Sequence, residues 1–292
     1  MNSKAIIGTV QFGLDYGITN NEGKITDEQL EKIFDFCNTN NLKLFDTAQN
    51  YGISENILSV AKKKYPSFKV ITKCKFEAHK GSHSECIRNS LDKFDEIECF
   101  MLHTFSDYQN KSVRDVLIKW KTHEKIKKVG VSVYFVEEAI ILLEDNLIDV
   151  IQIPFNLLDK QWFRTDFQQL KRKRPNIEVH VRSIFLQGIL LNKPQKYPVN
   201  IPKDEFLKLE NILDMLCKNL NMSRLQVCFS FINSFDWIDK FLIGIDNIEQ
   251  LIFNENEMSK NTKLTESDLT FIWDKTIDIH PFIINPSKWE FN

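Results

Sequence analysis

The chain has 292 residues, of which 42% are hydrophobic, and its 38 basic and 40 acidic side chains leave a formal net charge of −2. So even a balance gives no broad field for nucleic acid or an anionic membrane surface, and neither is expected as a partner. No apolar run approaches the ~18 residues of a membrane span, and the opening MNSKAIIG reads as leading straight into a strand with no signal peptide.

In chain order, short β-branched runs alternate with amphipathic stretches. A strand at 5–10 leads to a helix at 26–40, which opens on Thr26 as a cap and sets Leu30, Ile33, Phe34 and Cys37 on one face. A strand at 42–46 precedes a helix at 54–64, with Ser54 as cap and Ile57, Leu58 and Ala61 inward. Strands at 69–73, 99–103, 129–133 and 150–153 then alternate with helices at 84–94, 113–126, 136–145 and 163–174. The strand at 178–182 is followed by two helices, 203–220 and 223–234. The strand at 241–245 is followed by helices at 247–258 and 265–276, the last capped by Thr265.

Eight β-then-α units imply a closed (β/α)8 TIM barrel, an α/β fold. No linker or composition shift divides residues 1–292, so a single domain is expected. An open doubly wound sheet would carry a Gly-rich dinucleotide turn after its first strand, and Gly8-Thr9-Val10-Gln11-Phe12-Gly13 does not fit G-x-G-x-x-G.

The six cysteines (Cys37, Cys74, Cys86, Cys99, Cys217 and Cys228) form no C-x-x-C pair, which suits a reduced, cytoplasmic setting. His79, His83 and Cys86 are close in sequence, but Gly81 interrupts their helical register and no fourth ligand is suitably spaced, so no metal is expected. The basic run 171–174 precedes Pro175 and reads as the last turn of a helix, where cations suit the macrodipole.

Three segments carry ionisable groups at, or just past, the end of an apolar run. They are LKLFDTAQNYG with Asp46 and Tyr51, KVITKCK with Lys73, and CFMLHT with His103. The C-terminal rim of a barrel is where active sites assemble, and all four residues belong there. A phenol, with an ordinary pKa near ~10, donates more readily beside an ammonium, and a buried aspartate keeps that ammonium charged. A histidine on the next strand can orient the oxygen that receives the proton. Any one of these residues alone reads equally as a cap, a loop anchor or a rim residue. Together they make a proton-transfer set whose natural complement is hydride from a nicotinamide.

In these pieces the chain resembles the aldo-keto reductases, over nearly its full length. The resemblance rests on Phe45-Asp46-Thr47-Ala48 with Tyr51-Gly52, Ile71-Thr72-Lys73, Leu102-His103, the opening 8–13 and Val129-Gly130-Val131-Ser132. It implies that Tyr51 is the general acid/base, that Lys73 and Asp46 tune it, and that His103 orients the carbonyl. It implies a cofactor, NADP(H) or NAD(H), held by Gly8, Thr9, Ser132, Gln152, Arg182, Ser183, Leu186, Gly188, Gly244, Asp246, Gln250 and Asn254.

Two positions depart from the family pattern. Val133 replaces a common Asn. Arg182 replaces the aromatic that stacks on the nicotinamide; it either stacks as a planar cation or turns aside to pair with an acid. Across residues 243–254, Asp246 and the lack of Lys or Arg favour NADH electrostatically, whereas family habit favours NADPH. The expected substrate is a small carbonyl compound, with Phe12, Tyr16, Tyr51, Phe105, Phe155, Asn156 and Trp162 lining its pocket. The Val-Gln-Phe-Gly-Leu-Asp-Tyr-Gly opening looks like that of reductases of sugar or surface-polysaccharide metabolism. In a chain with 23 phenylalanines these aromatics read equally as ordinary packing. The rival functions are a cofactor-binding redox sensor with little turnover and a Schiff-base barrel enzyme using Lys73. Asp46 argues against the latter by keeping the amine protonated.

Overall fold

Alternation of side chains across a strand lets one short run face two environments, and here eight such runs close a parallel barrel in sequential order, β1 to β8. The strands are β1 (Ala5–Gly8), β2 (Leu44–Asp46), β3 (Lys69–Cys74), β4 (Ile97–Leu102), β5 (Ile126–Ser132), β6 (Val150–Pro154), β7 (Glu178–Arg182) and β8 (Lys240–Ile243). The computed structural model describes residues 4–20, 22–76, 82–194 and 196–291. Ile6, Ile71, Cys99, Met101 and Val150 fill the barrel interior. The opposite face of each strand packs in the thicker layer beneath the helices, as Ile7, Phe45, Val70 and Phe100 do. The architecture is thus the single-domain (β/α)8 barrel read from the sequence.

The surrounding helices are α1 (Asp27–Thr39), α2 (Ser54–Lys64), α3 (His83–Phe94), α4 (Lys111–Thr122), α5 (Val136–Leu143), α6 (Thr165–Lys173), α7 (Lys203–Leu220), α8 (Arg224–Asn233), α9 (Ile248–Ser259) and α10 (Glu266–Thr276). Their starts follow side-chain chemistry. Thr26 accepts from the Gln29 amide, and Ser82, Ser223 and Thr265 each close a capping box. None of the helices, among the described residues, is long and apolar enough to cross a membrane.

Several expected boundaries are corrected. Residues Val10–Gly13 leave β1 and form a short helical turn. Ile126 opens β5 instead of closing α4. Ser54 is not a cap: it lies inside α2, and its buried hydroxyl donates to Thr9 across the barrel rim, 3.0 Å from the carbonyl and 2.7 Å from Oγ1. One pair departs from the reading of the cysteines as free thiols: Cys74 at the end of β3 and Cys86 in α3 are joined as a disulfide, while Cys37, Cys99, Cys217 and Cys228 are free. The β3–α3 connection brings together two residues that sequence spacing alone does not pair. His79 lies outside the described residues, and among those described no group of three or more candidate metal ligands occurs.

Candidate active site

Register puts the functional side chains on one rim. Gly8 pairs with Asp46 and Asp46 with Ile71, so Lys73 stands just beyond the carboxylate at the open end of β3. Lys73 and Asp46 form an ion pair, each only 2% exposed. The second carboxylate oxygen of Asp46 accepts from Gln152 Nε2 at 2.9 Å, which ties β2 to β6 across the barrel mouth. Burial pulls the Lys73 ammonium below its ordinary pKa, and Asp46 works against that pull.

Tyr51 sits in the loop between β2 and α2, and this loop is clamped. A Cβ on Gly13 would meet the Tyr51 carbonyl oxygen at 1.9 Å, and one on Gly52, whose φ is +55°, would meet the Gly13 oxygen at 2.4 Å. Two loop backbones therefore touch where side chains would part them. Beneath them, buried Glu55 in the first turn of α2 accepts from Thr72 (2.7 Å), Ser90 (2.8 Å) and Lys93 (2.7 Å). That network pins α2 to β3 and α3. The Tyr51 ring lies 5.6 Å from Lys73 Nζ and meets the His103 imidazole edge-on at 6.3 Å.

Burial, and next the Asp46 charge, push the Tyr51 phenol well above its ordinary pKa, while Arg182 pulls the other way. Lys73 Nζ lies within reach of the ring, yet burial and Asp46 leave the net shift of the phenol upward. His103 follows β4, its backbone N–H bonded to the Cys74 carbonyl at 3.0 Å. Burial, and then the cations Lys73 and Arg182, lower its pKa to about 4, so the imidazole is neutral at pH 7. Its Nδ1 is buried with no partner.

These four residues open on a cavity of 720 Å³, which also takes in Gly8, Thr9, Tyr16, Ser132, Gln152, Arg182, Ser183, Leu186, Gly188, Gly244, Asp246, Gln250 and Asn254. The cavity therefore gathers the residues that the family likeness marked for cofactor. Their geometry suits a dinucleotide. Gln152 lines the cavity with its Nε2 held by Asp46 and its Oε1 buried without a hydrogen-bond partner. The 183–188 loop curls tightly, with positive φ at Ser183, Leu186, Gln187 and Gly188. The N-terminus of α9 opens beside Gly244, capped by Asn247. Asp246 accepts from Gln250 at 3.1 Å and Gln11 at 3.4 Å, and burial raises its pKa.

The substrate-pocket expectations are largely corrected. Tyr16 lines the cavity and is 41% exposed. Phe12 instead packs edge-on against Phe34 beneath the rim. Phe105 packs on Tyr108. Phe155 is sealed among Phe163, Phe231, Phe235 and Trp237. Asn156 is spent on the Ser183 carbonyl and the Leu158 amide. Trp162 is fully buried against Phe167, its indole N–H bonded to Asp159.

Sequence reading missed Tyr134, which lines the cavity and carries the Arg182 guanidinium 4.4 Å above its ring. Strand alternation held the signal: Tyr134 is two residues beyond Ser132, on the same parity. It also missed Arg224 at the start of α8, which reaches the cavity paired to Glu210 (2.8 Å) and Asp214 (2.6 Å).

A closed barrel with a buried Asp–Lys pair, a half-buried tyrosine and a neutral histidine on one rim is the frame of an oxidoreductase. The sequence matches the aldo/keto reductase family over residues 4–275, and the chain belongs to that family. It is similar in structure to the glycerol dehydrogenase of Gluconobacter oxydans, with a TM-score of 0.72 at 21% identity, covering 96% of this chain and 93% of that one. It is also similar to a Pseudomonas aeruginosa protein assigned to the aldo-keto reductases, with a TM-score of 0.63 at 17% identity, covering 89% and 90%. No curated protein sequence matches the chain.

Proposed function

We propose that the chain is an NAD(P)H-dependent reductase that converts an aldehyde or ketone to an alcohol, or runs the reverse oxidation. One observation carries the reading: the buried Asp46–Lys73 pair, with Tyr51 and His103 beside it, opens on a cavity that Ser132 and Gln152 also line. When bound there, a reduced nicotinamide supplies hydride to the carbonyl carbon.

The residues of the chain do the rest. Gln152 and Ser132 hold the carboxamide and so set which carbon faces the rim. Neutral His103 donates an N–H to the carbonyl oxygen. Tyr51, protonated at neutral pH, gives its proton to that same oxygen. The resulting phenolate is stabilised by the cations around it and later reprotonated from solvent. Acid catalysis positioned in this way is worth about 10²–10⁴-fold. Asp246 beside the α9 terminus, with Arg224 already paired to two acids, favours a cofactor without a 2′-phosphate. Small polar carbonyls, sugar-derived ones among them, suit a cavity that mixes Tyr16, Tyr134 and Asn50.

The test is a cofactor-fluorescence titration followed by a panel of aldehydes, ketones and sugars. Cofactor binding with consumption in the presence of a carbonyl supports the reading, and Tyr51→Phe should then bind cofactor and lose turnover. Tight cofactor binding with no oxidation across the panel would sink it in favour of a redox-sensing role.

A further inference from the structure

The charges around the cavity do not cancel evenly. Lys73 is neutralised by Asp46, Arg224 by Glu210 and Asp214, and His103 is uncharged at pH 7. Arg182 is the lining cation left over: it forms no ion pair among the described residues. Its hydrogen bonds are two long ones, to Ser183 Oγ at 3.5 Å and the Val133 carbonyl at 3.4 Å. Most of the N–H donors of the guanidinium are therefore unspent. Its flat face is occupied, lying 4.4 Å over the Tyr134 ring, which leaves the edge as the part free to bind.

The placement is specific. Pro154 pairs with Arg182 at the open end of β6 and β7, so the guanidinium stands at the same rim as Asp46, Tyr51, Lys73 and His103. Its charge is felt by Tyr51, by Tyr16, by Lys73 and by His103. A cation held there has been taken partly out of water without a protein anion to compensate it, a cost that a ligand can recover. The guanidinium edge matches a carboxylate in a bidentate pair, which a neutral sugar or aldehyde cannot form.

We propose that Arg182 is a substrate-binding residue for an anionic group, and that the substrate class is the oxo acids: aldehydes or ketones that also carry a carboxylate. The inference rests on the reductase reading and narrows it. The carbonyl oxygen lies against Tyr51 and His103, the carboxylate against the Arg182 edge, and the hydride step is unchanged in its balance. The carbonyl carbon gains hydride from the reduced nicotinamide, the oxygen gains the Tyr51 proton, and the carboxylate takes no part.

The experiment compares 4-oxobutanoate with butanal, which share chain length and differ in the acid. Wild type should prefer 4-oxobutanoate, and in Arg182→Met the ratio of the two kcat/KM values should fall about 10- to 100-fold, as expected for one hydrogen-bonded charge contact. Using the ratio removes any loss common to both substrates, such as weaker cofactor binding. Arg182→Lys, which keeps the charge without the fork, should fall between. A second readout needs no turnover: calorimetric titration of 4-hydroxybutanoate into protein saturated with oxidised dinucleotide should show binding in wild type and its loss in Arg182→Met. An unchanged ratio, equal losses on both substrates, or no 4-hydroxybutanoate binding by wild type would each overturn the proposal. Arg182-dependent binding without any carbonyl turnover would overturn the reductase reading and leave the anion site standing.

Discussion

Lys73 and Asp46 neutralise each other at a place where water hardly reaches either, each side chain being 2% exposed. Breaking such a pair on one side costs more than replacing both members, because a lone buried charge remains. Lys73→Met should therefore destabilise the fold by about 3–5 kcal/mol. The double variant Asp46→Asn with Lys73→Met should regain most of that, while turnover stays lost in both. Urea denaturation of the three proteins gives the comparison. A double variant as unstable as the single one would show that packing, and not charge, dominates there.

Gly13 touches the Tyr51 carbonyl closely enough that a methyl group cannot fit between them. Gly13→Ala must push the 51–54 loop outward and carry the phenol with it. Since displacement of a catalytic group by about 1 Å can cost on the order of 10²-fold, kcat should fall by that order. The melting temperature should drop only modestly. Full activity in Gly13→Ala would show that the loop relaxes without moving the ring.

His103 should give the site an unusual acid limb. Its pKa is about 4, below its ordinary 6.5, so the neutral imidazole persists until the pH nears 4. The kcat/KM profile should hold through pH 6.5 and fall near 4. The same shift bears on stability. Between pH 6.5 and about 4 the unfolded chain binds this proton and the folded chain does not, so stability declines as pH falls through that window. His103→Gln should flatten this part of the stability curve, measured by denaturant melts at several pH values.

At the opposite end of the barrel, Glu178 is bonded to His180 at 2.8 Å and Lys128 at 2.7 Å. The His180 hydrogen bond first, and then Lys128, hold its pKa at about 2, down from 4.5. A depressed carboxylate stabilises the fold above its unfolded pKa, and the contribution disappears as pH falls from 4.5 through about 2. Glu178→Gln should lose stability at pH 7 but show a shallower acid transition across that window. Acid titration followed by circular dichroism reads both.

Asp246 faces the α9 terminus with only amide partners around it, Gln11 and Gln250. Asp246→Asn should raise affinity for NADPH relative to NADH by removing a like charge, an effect that high salt weakens if the carboxylate is exposed to solvent ions. Competitive titration of both reduced cofactors on the two proteins measures it, and an unaltered ratio would remove Asp246 from cofactor choice.

The barrel, and the meeting of Asp46, Tyr51, Lys73 and His103 on one rim, were legible because each depends on local signals. Apolar runs bounded by polar turns gave the strands, and a charged residue ending such a run marks the rim. The substrate wall was not legible, because proximity to a strand end does not say which way a side chain points. Phe155 lies three residues past inward-facing Gln152, so alternation sends it outward into the helix layer, where Phe231 and Trp237 receive it. Tyr134 obeys the same rule in the inward sense. Arg224 could not be foreseen, since it reaches the cavity from the extra helix between β7 and β8. Nor could the state of Arg182, whose partner turned out to be a ring.

The hydrogen bond from Gln152 to Asp46 joins two territories of the molecule. Asp46, Tyr51, Lys73 and His103 come from the first half of the chain, β2 to β4, and most of the cavity wall facing them comes from the second, β5 to β8. One amide spans that divide, with its nitrogen committed to the acid pair and its buried oxygen without a partner. Replacing the loops of one half can thus alter what is recognised without rewiring how the proton moves, provided that residue 152 keeps both of its hands.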